Sequence, residues 1–225
     1  MIRALLFVLA LILPGTGAAQ CRMALAIGLD VSSSVDGQEH ALQLAGLATA
    51  LRDPDVQRLM VEGGDPVALA VFEWSGRAHQ MVLRPWTLIT DRAALDGFAA
   101  SLLTVPRGAS GQPTALGAAM QFGAALMNAV PGCITPILDI SADGQQNDGP
   151  RPRDVRRTLP VGLVINALVI DDAGDASLVP YFQAEVIFGP GAFVERAGGY
   201  DDYARAMRRK LLREMTLAIS QLEAE

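Results

Sequence analysis

The sequence predicts an α/β fold: a doubly wound, mostly parallel sheet with one antiparallel edge strand and helices on both faces. Three observations predict it. First, the short apolar runs Met23 to Leu29, Ile134 to Ile140 and Leu163 to Ile170 lack the polar alternation of half-exposed strands. They therefore read as strands buried on both faces. Second, stretches with apolar residues at helical spacing separate these runs, which is the pattern of strands covered by helices. Third, Val67 to Trp74 and Met81 to Leu88 are joined by too short a segment for a crossover. That pair must form an antiparallel hairpin.

The elements follow in order. Asp36 to Leu51 carries Ala41, Leu44, Ala45, Leu47, Ala48 and Leu51 at helical spacing, with Asp36 as N-cap and Glu39 completing a capping box. Asp53-Pro54 interrupts it, Val56 to Met60 reads as a short continuation, and Glu62 to Pro66 is a turn. After the hairpin, Asp91 to Leu103 reads as a helix and Gly108 to Pro113 as a flexible loop. Thr114 is expected to cap an Ala-rich helix reaching about Ala129, stopped by Pro131-Gly132. Beyond the Ile134 strand come the polar loop Ser141 to Pro150, a short helix over Arg153 to Leu159 and the Leu163 strand. Ala176 to Phe182 reads as a short helix, Ala184 to Phe188 as a weak last strand, and Phe193-Val194 has no clear pattern. Tyr200 to about Leu222 closes the chain as an amphipathic helix with Ala204, Met207, Leu211, Met215 and Ile219 on one face.

Residues 1–19 stand apart. Arg3, the apolar run Ala4 to Leu13 and the small residues ending at Ala19 have the form of an export leader cut after Ala19. The run is short for a membrane span, and no other segment reaches the roughly 20 apolar residues a spanning helix needs. Cys21 raises a lipid-anchored alternative, against which Gln20 occupies the place where a lipobox needs a small residue. Residues 20–225 are long enough for one domain with a sizeable core. The expected location is periplasmic or secreted.

Composition narrows the function classes. Half the residues are apolar (51%) and few are aromatic (5%), so the core is aliphatic. The net charge of -6 argues against non-specific nucleic-acid binding, which runs on positive charge. The two cysteines, Cys21 and Cys133, each open an apolar run. In an oxidising compartment an even count favours a disulfide, and neighbouring parallel strands would bring the two sulfurs together. Two free buried thiols are the alternative.

Three polar loops carry the chemistry. Asp30-Val31-Ser32-Ser33-Ser34 follows the first strand directly, Thr114 follows the flexible loop, and Asp143-Gly144 follows the Ile134 strand. In open α/β sheets ligands bind beyond the carboxyl ends of the strands, where the strand order reverses. If the first and the Ile134 strands are neighbours, Asp30 and Asp143 share that crevice. Two carboxylates and three hydroxyls are hard oxygen donors, suited to Mg²⁺, Mn²⁺ or Ca²⁺ rather than zinc.

This D-x-S-x-S, Thr and Asp-Gly order resembles the metal-ion-dependent adhesion site (MIDAS) of von Willebrand factor type A domains, a Rossmann-like fold. The resemblance covers essentially all of residues 20–225. The leader, the Cys21 start and the run Ala142 to Asn147 also resemble a family of exported bacterial A-like proteins of unassigned function. The resemblance implies that Ser32 and Ser34 ligate one divalent cation directly, with Mg²⁺ foremost. It implies that Thr114 ligates directly or through water, and that Asp30 and Asp143 act largely through water. It further implies a protein partner whose exposed acidic residue completes the coordination. The segment Ser110-Gly111-Gln112-Pro113 departs from the Gly-Gly-Thr type of loop common in such domains, and a plain N-cap is the alternative role for Thr114.

Two other functions fit less of the sequence. A metal-dependent phosphoester hydrolase could use Asp30 and Asp143. No nucleophile with an activating partner and no phosphate-cradling loop accompanies them. A structural domain with a vestigial metal site is the second alternative. His40 and His79 show no zinc spacing and read as packed or solvated. Asp171 and Asp172 read as solvated loop residues, with the rim of the ligand side as the alternative, and the cluster Arg205, Arg208, Arg209, Lys210 and Arg213 as a solvated helix face rather than a binding patch. Asp139, inside an apolar strand, needs a partner if buried.

Overall fold

The computed structural model describes residues 21–62, 64–108, 111–130 and 132–222. The expected leader lies outside them, as do Gly63, Ala109, Ser110 and Pro131 of the expected turns and the side chain of Ile219. The described elements are β1 (Cys21–Asp30), α1 (Gly37–Leu51), α2 (Pro54–Val61), β2 (Val67–Trp74), β3 (Gln80–Ile89), α3 (Arg92–Leu102), α4 (Leu116–Leu126) and β4 (Cys133–Ala142). They continue with α5 (Pro152–Val155), β5 (Val164–Ile170), α6 (Leu178–Tyr181), β6 (Val194–Ala197) and α7 (Tyr203–Leu222).

The sheet has six strands in the order β3-β2-β1-β4-β5-β6. Every pair is parallel except the β2–β3 hairpin at one edge. The expected fold class is therefore the observed one. Alternate residues of each strand face opposite layers, because the side-chain period of a strand is two. Met23, Leu25, Ile27 and Leu29 of β1 join the core under α1, α2, α3 and α7. Ala26 of β1 and Leu138, Ile140 and Ala142 of β4 join the core under α4, α5 and α6. Helix α1 starts as its sequence dictates: Asp36 accepts from Gln38 and Glu39 N–H groups, and Glu39 accepts from the Asp36 N–H. Gly46 lets α1 approach α7 closely, since a Cβ there would lie 2.7 Å from the Tyr203 ring.

The disulfide reading holds. Strands β1 and β4 pair with Cys21 opposite Cys133, and the two sulfurs are bonded.

Three expectations are corrected. The weak last strand at Ala184 to Phe188 is instead a π-helical turn over Phe182–Val186, with Phe188 making one isolated bridge to Ile165. The last strand is β6, at the Val194 segment where the sequence shows no clear pattern. It is short and at an edge, so little apolar periodicity marks it. The basic face of α7 is not wholly solvated. Lys210 is fully buried with its ammonium between Asp139 and Glu214, both also fully buried. This answers the need of Asp139 for a partner. Asp171 is likewise buried rather than solvated, bonded to the Asp175 N–H and paired with Arg196.

Candidate metal centre

Strands β1 and β4 are the neighbours at which the order reverses: β2 lies beyond β1, β5 beyond β4. The site sits at their carboxyl ends, as open α/β sheets favour. Three connections hold its loops. Val31 N–H donates to the Trp74 carbonyl (2.9 Å), Ser33 N–H to the Gln112 carbonyl (2.8 Å), and Ala115 N–H to the Ser75 carbonyl (2.9 Å). The Asp30 loop, the Thr114 loop and the hairpin are thus one hydrogen-bonded unit.

Four of the five expected residues form a continuous chain. Asp30 is fully buried; its Oδ1 accepts the Ser32 N–H at 2.7 Å. The hydroxyls of Ser32 and Ser34 are 3.2 Å apart. Ser34 Oγ donates to Asp143 Oδ1 at 2.7 Å. Thr114 stands beside this chain. It is buried, and a Cβ added at Gly144, next to Asp143, would lie 4.0 Å from its Oγ1.

Thr114 does not cap α4, as the sequence suggested. The helix begins at Leu116 after Ala115, with no capping side chain from that residue. The Gly117 N–H is taken instead by Gln146 Oε1 (2.8 Å), and the Thr114 N–H by Asn147 Oδ1 (2.8 Å). A loop after β4 thus supplies the acceptors that the start of α4 needs.

Sequence reasoning missed several contributors. Tyr200 donates from its hydroxyl to Asp143 Oδ2 at 3.0 Å, fixing the carboxylate from the side opposite Ser34. Its aromatic ring at the start of the closing helix gave no such signal. Gln43 of α1 donates to the Asp30 carbonyl at 2.9 Å. Gln146 and Asn147 lie in the run already singled out, but their roles depend on the fold. Below the hairpin, Glu73 is fully buried with His79 Nε2 3.0 Å from Oε1 and His40 Nε2 3.9 Å from Oε2. Both histidines are therefore packed. Gly108 donates to the same carboxylate at 3.3 Å, and a Cβ there would lie 1.7 Å from it. Only glycine lets this backbone come so close.

The electrostatics favour a cation. The Asp30 carboxyl is pushed up to about 8, first by burial and then by the negative charge of Asp143, against the lowering effect of its bonds to Ser32. Its Oδ2 is buried and has no hydrogen-bond partner among the described residues. A buried acceptor without a partner is costly, and a positive charge at this point would relieve both the desolvation and the repulsion. The donors are all oxygen, which fits Mg²⁺. Among the described residues no three or more His, Cys, Asp or Glu side chains are arranged for a metal. The constellation instead pairs two carboxylates with hydroxyls.

Comparison with known structures places the fold. A von Willebrand factor type A protein from Catenulispora acidiphila matches with a TM-score of 0.58 and 13% identity over 87% of this chain and 43% of that one. Proximal thread matrix protein 1 from the mussel byssus, with a zinc-occupied MIDAS motif, matches at 0.61 and 16% identity, over 88% and 46%. The pilus adhesin SpaC from Lactobacillus rhamnosus GG matches at 0.58 and 13% identity, over 90% and 32%. This chain thus spans less than half the length of each of these three. The likeness makes the fold von Willebrand factor A-like. No curated protein matches the sequence. The family model described as "Protein of unknown function (DUF1194)" matches residues 20–219, and the chain belongs to that family.

Proposed function

We propose that this protein is an exported binding module that holds one divalent cation, most simply Mg²⁺, and uses it to engage an acidic group on a partner protein. The observation that carries the reading is the buried Asp30 Oδ2, without a hydrogen-bond partner among the described residues, at the head of a chain of oxygen donors running through Ser32 and Ser34 to Asp143. Ser32 and Ser34 would hold the cation through their hydroxyls, with Thr114 as a further donor. Asp30 and Asp143 would supply the negative charge. The cation would offer a directional bond to a carboxylate from outside.

A binding role is supported by the structural relatives, which include a pilus adhesin and a thread matrix protein with a zinc-occupied MIDAS motif. Export is supported by the leader-like residues 1–19 and by the Cys21–Cys133 disulfide, which suits an oxidising compartment. None of the described helices is long and apolar enough to cross a membrane.

Calorimetric titration with Mg²⁺ and Mn²⁺ tests the reading. Saturable one-to-one binding is expected, absent from Asp30→Ala and from Ser32→Ala combined with Ser34→Ala, both of which keep the far-ultraviolet spectrum of the parent. Failure of the parent to bind either cation, with or without acetate to supply a carboxylate, would remove the reading.

A further inference from the structure

The two sides of the metal centre differ in charge, and the difference bears on what the partner carries. On the α1 and α7 side, the rim holds Asp36, Glu39, Asp172 and Asp201 around Tyr200. On the α4, α5 and α6 side lies an open cleft of about 290 Å³ whose lining includes Arg151, Arg153, Gln146 and Tyr181. Four arginines, at 151, 153, 156 and 157, fall within seven residues of a chain whose net charge is -6. Two carboxylates, Asp154 and Glu185, share that cleft.

The cleft is joined to the centre through Gln146, whose backbone N–H donates to the Tyr181 hydroxyl (3.3 Å) and whose Oε1 accepts from the Gly117 N–H at the start of α4. Its amide nitrogen donates to the Gly149 carbonyl (3.2 Å) and to the Pro150 carbonyl (2.5 Å). Arg151 stands between Pro150 and Pro152 in extended backbone, φ -66° and ψ 137°. Two prolines and a side-chain brace hold its backbone in place, so little ordering entropy opposes its use.

The charge of Arg153 is open to a further partner. Arg153 pairs with Glu185, yet its side chain is 62% exposed. Glu185 is only 19% exposed and stays paired, but a guanidinium carries five N–H donors, so the exposed side of Arg153 can also take an incoming carboxylate. The Nε and one terminal nitrogen of Arg156 are buried without a hydrogen-bond partner among the described residues. Burial lowers the pKa of that guanidinium, and Glu185 opposes the shift.

We propose that this cleft is a second anionic subsite: the partner segment carries two acidic residues, one for the metal and one for the Arg151–Arg153 cleft. This rests on the proposed metal-dependent function and adds the partner's chemistry to it. The acidic wall across the centre repels the second carboxylate, so the segment binds in one direction only. Attraction on one side and repulsion on the other is how interfaces set orientation.

The test is selection of a phage-displayed library of short random peptides against residues 20–225 in millimolar Mg²⁺, with elution by EDTA. Enriched peptides are expected to carry two acidic residues at a fixed spacing. A two-acid peptide should bind Arg151→Ser, Arg153→Ser protein about threefold to tenfold more weakly, the range for one or two exposed charge pairs. The same peptide with its second acid changed to Asn should bind parent and variant alike. Both arginines are exposed, so the variant keeps its fold. Enriched peptides with a single acid, or equal losses for both peptides, would overturn the subsite and leave the metal reading standing. Recovery of no EDTA-sensitive peptide, or undiminished binding to Asp30→Ala, would take down both.

Discussion

At the residue scale, Asp30 is where the fold spends stability on a site. A carboxyl held at about 8 when folded, against the usual 3.8, is protonated in the folded state at pH values where the unfolded chain has lost its proton. Its contribution is therefore fully present below about pH 4 and declines as the pH rises through about 8, the opposite of an ordinary salt-bridged carboxylate. Without metal, the melting temperature should fall between pH 5 and 8.5, and Mg²⁺ should restore most of the loss at the upper end by binding only the folded chain. Asp30→Asn, which keeps the shape but not the charge, should flatten the metal-free slope and abolish the Mg²⁺ effect. Melts at several pH values in EDTA and in Mg²⁺, compared between the two proteins, read this directly. An equal slope in both would assign the pH dependence to other groups. That Asp30, Ser32, Ser34, Thr114 and Asp143 come together was legible because each is a small polar residue at the end of an apolar strand or in the loop that follows. Tyr200 was not legible, because nothing in its neighbours says that its hydroxyl ends on Asp143.

At the scale of elements, the strands buried on both faces and the helices capped by Asp36 and Asp91 were readable from local pattern, and they appear where the pattern put them. Misreadings fell where tertiary context overrides pattern. The sequence Ala184 to Phe188 has strand-like residues, but it follows α6 directly and completes that turn as a π-helix. Lys210 and Glu214 looked like exposed helix residues because charged residues usually are. Their burial follows from Asp139 in the middle of β4: its carboxylate pairs with the Lys210 ammonium, and Lys210 in turn pairs with Glu214 one turn later on the same helix. Asn166 donates to Glu214 at 2.7 Å and accepts the Phe193 N–H at 3.0 Å, so the cluster also ties α7 to β5 and β6. Lys210→Met would leave two carboxylates buried with no cation, a loss of about 3–5 kcal/mol. Burial and the Glu214 charge already raise the Asp139 carboxyl, while Lys210 lowers it. Removing Lys210 raises it further. The destabilisation should therefore be large at pH 8 and shrink toward pH 5, as Asp139 takes up a proton. Urea unfolding at both pH values measures it; a loss independent of pH would mean that the cluster acts by packing alone.

At the scale of the whole molecule, the fold separates what stabilises it from what it uses. The disulfide joins the first residues of β1 and β4, and the proposed metal site lies at the opposite, carboxyl ends of these strands. With β1 ten residues long, the two are roughly 30 Å apart along the strand. The bond closes a loop across a sequence separation of 112, long enough for a sizeable restriction of the unfolded chain. Cys21→Ser with Cys133→Ser should cost about 2–5 kcal/mol. The strands between are continuously buried and hydrogen-bonded, so the loops at the far end keep their positions as long as the chain is folded. Metal affinity, measured where the variant is still fully folded, should then stay within about twofold of the parent, since 1.4 kcal/mol would be tenfold. Chemical denaturation and calorimetry on one sample give the two numbers. If stability falls and affinity holds, the bond is a staple placed away from the working end. A parallel loss of affinity would mean instead that β1 and β4 transmit strain along their length, and that the site depends on the oxidation state of the compartment.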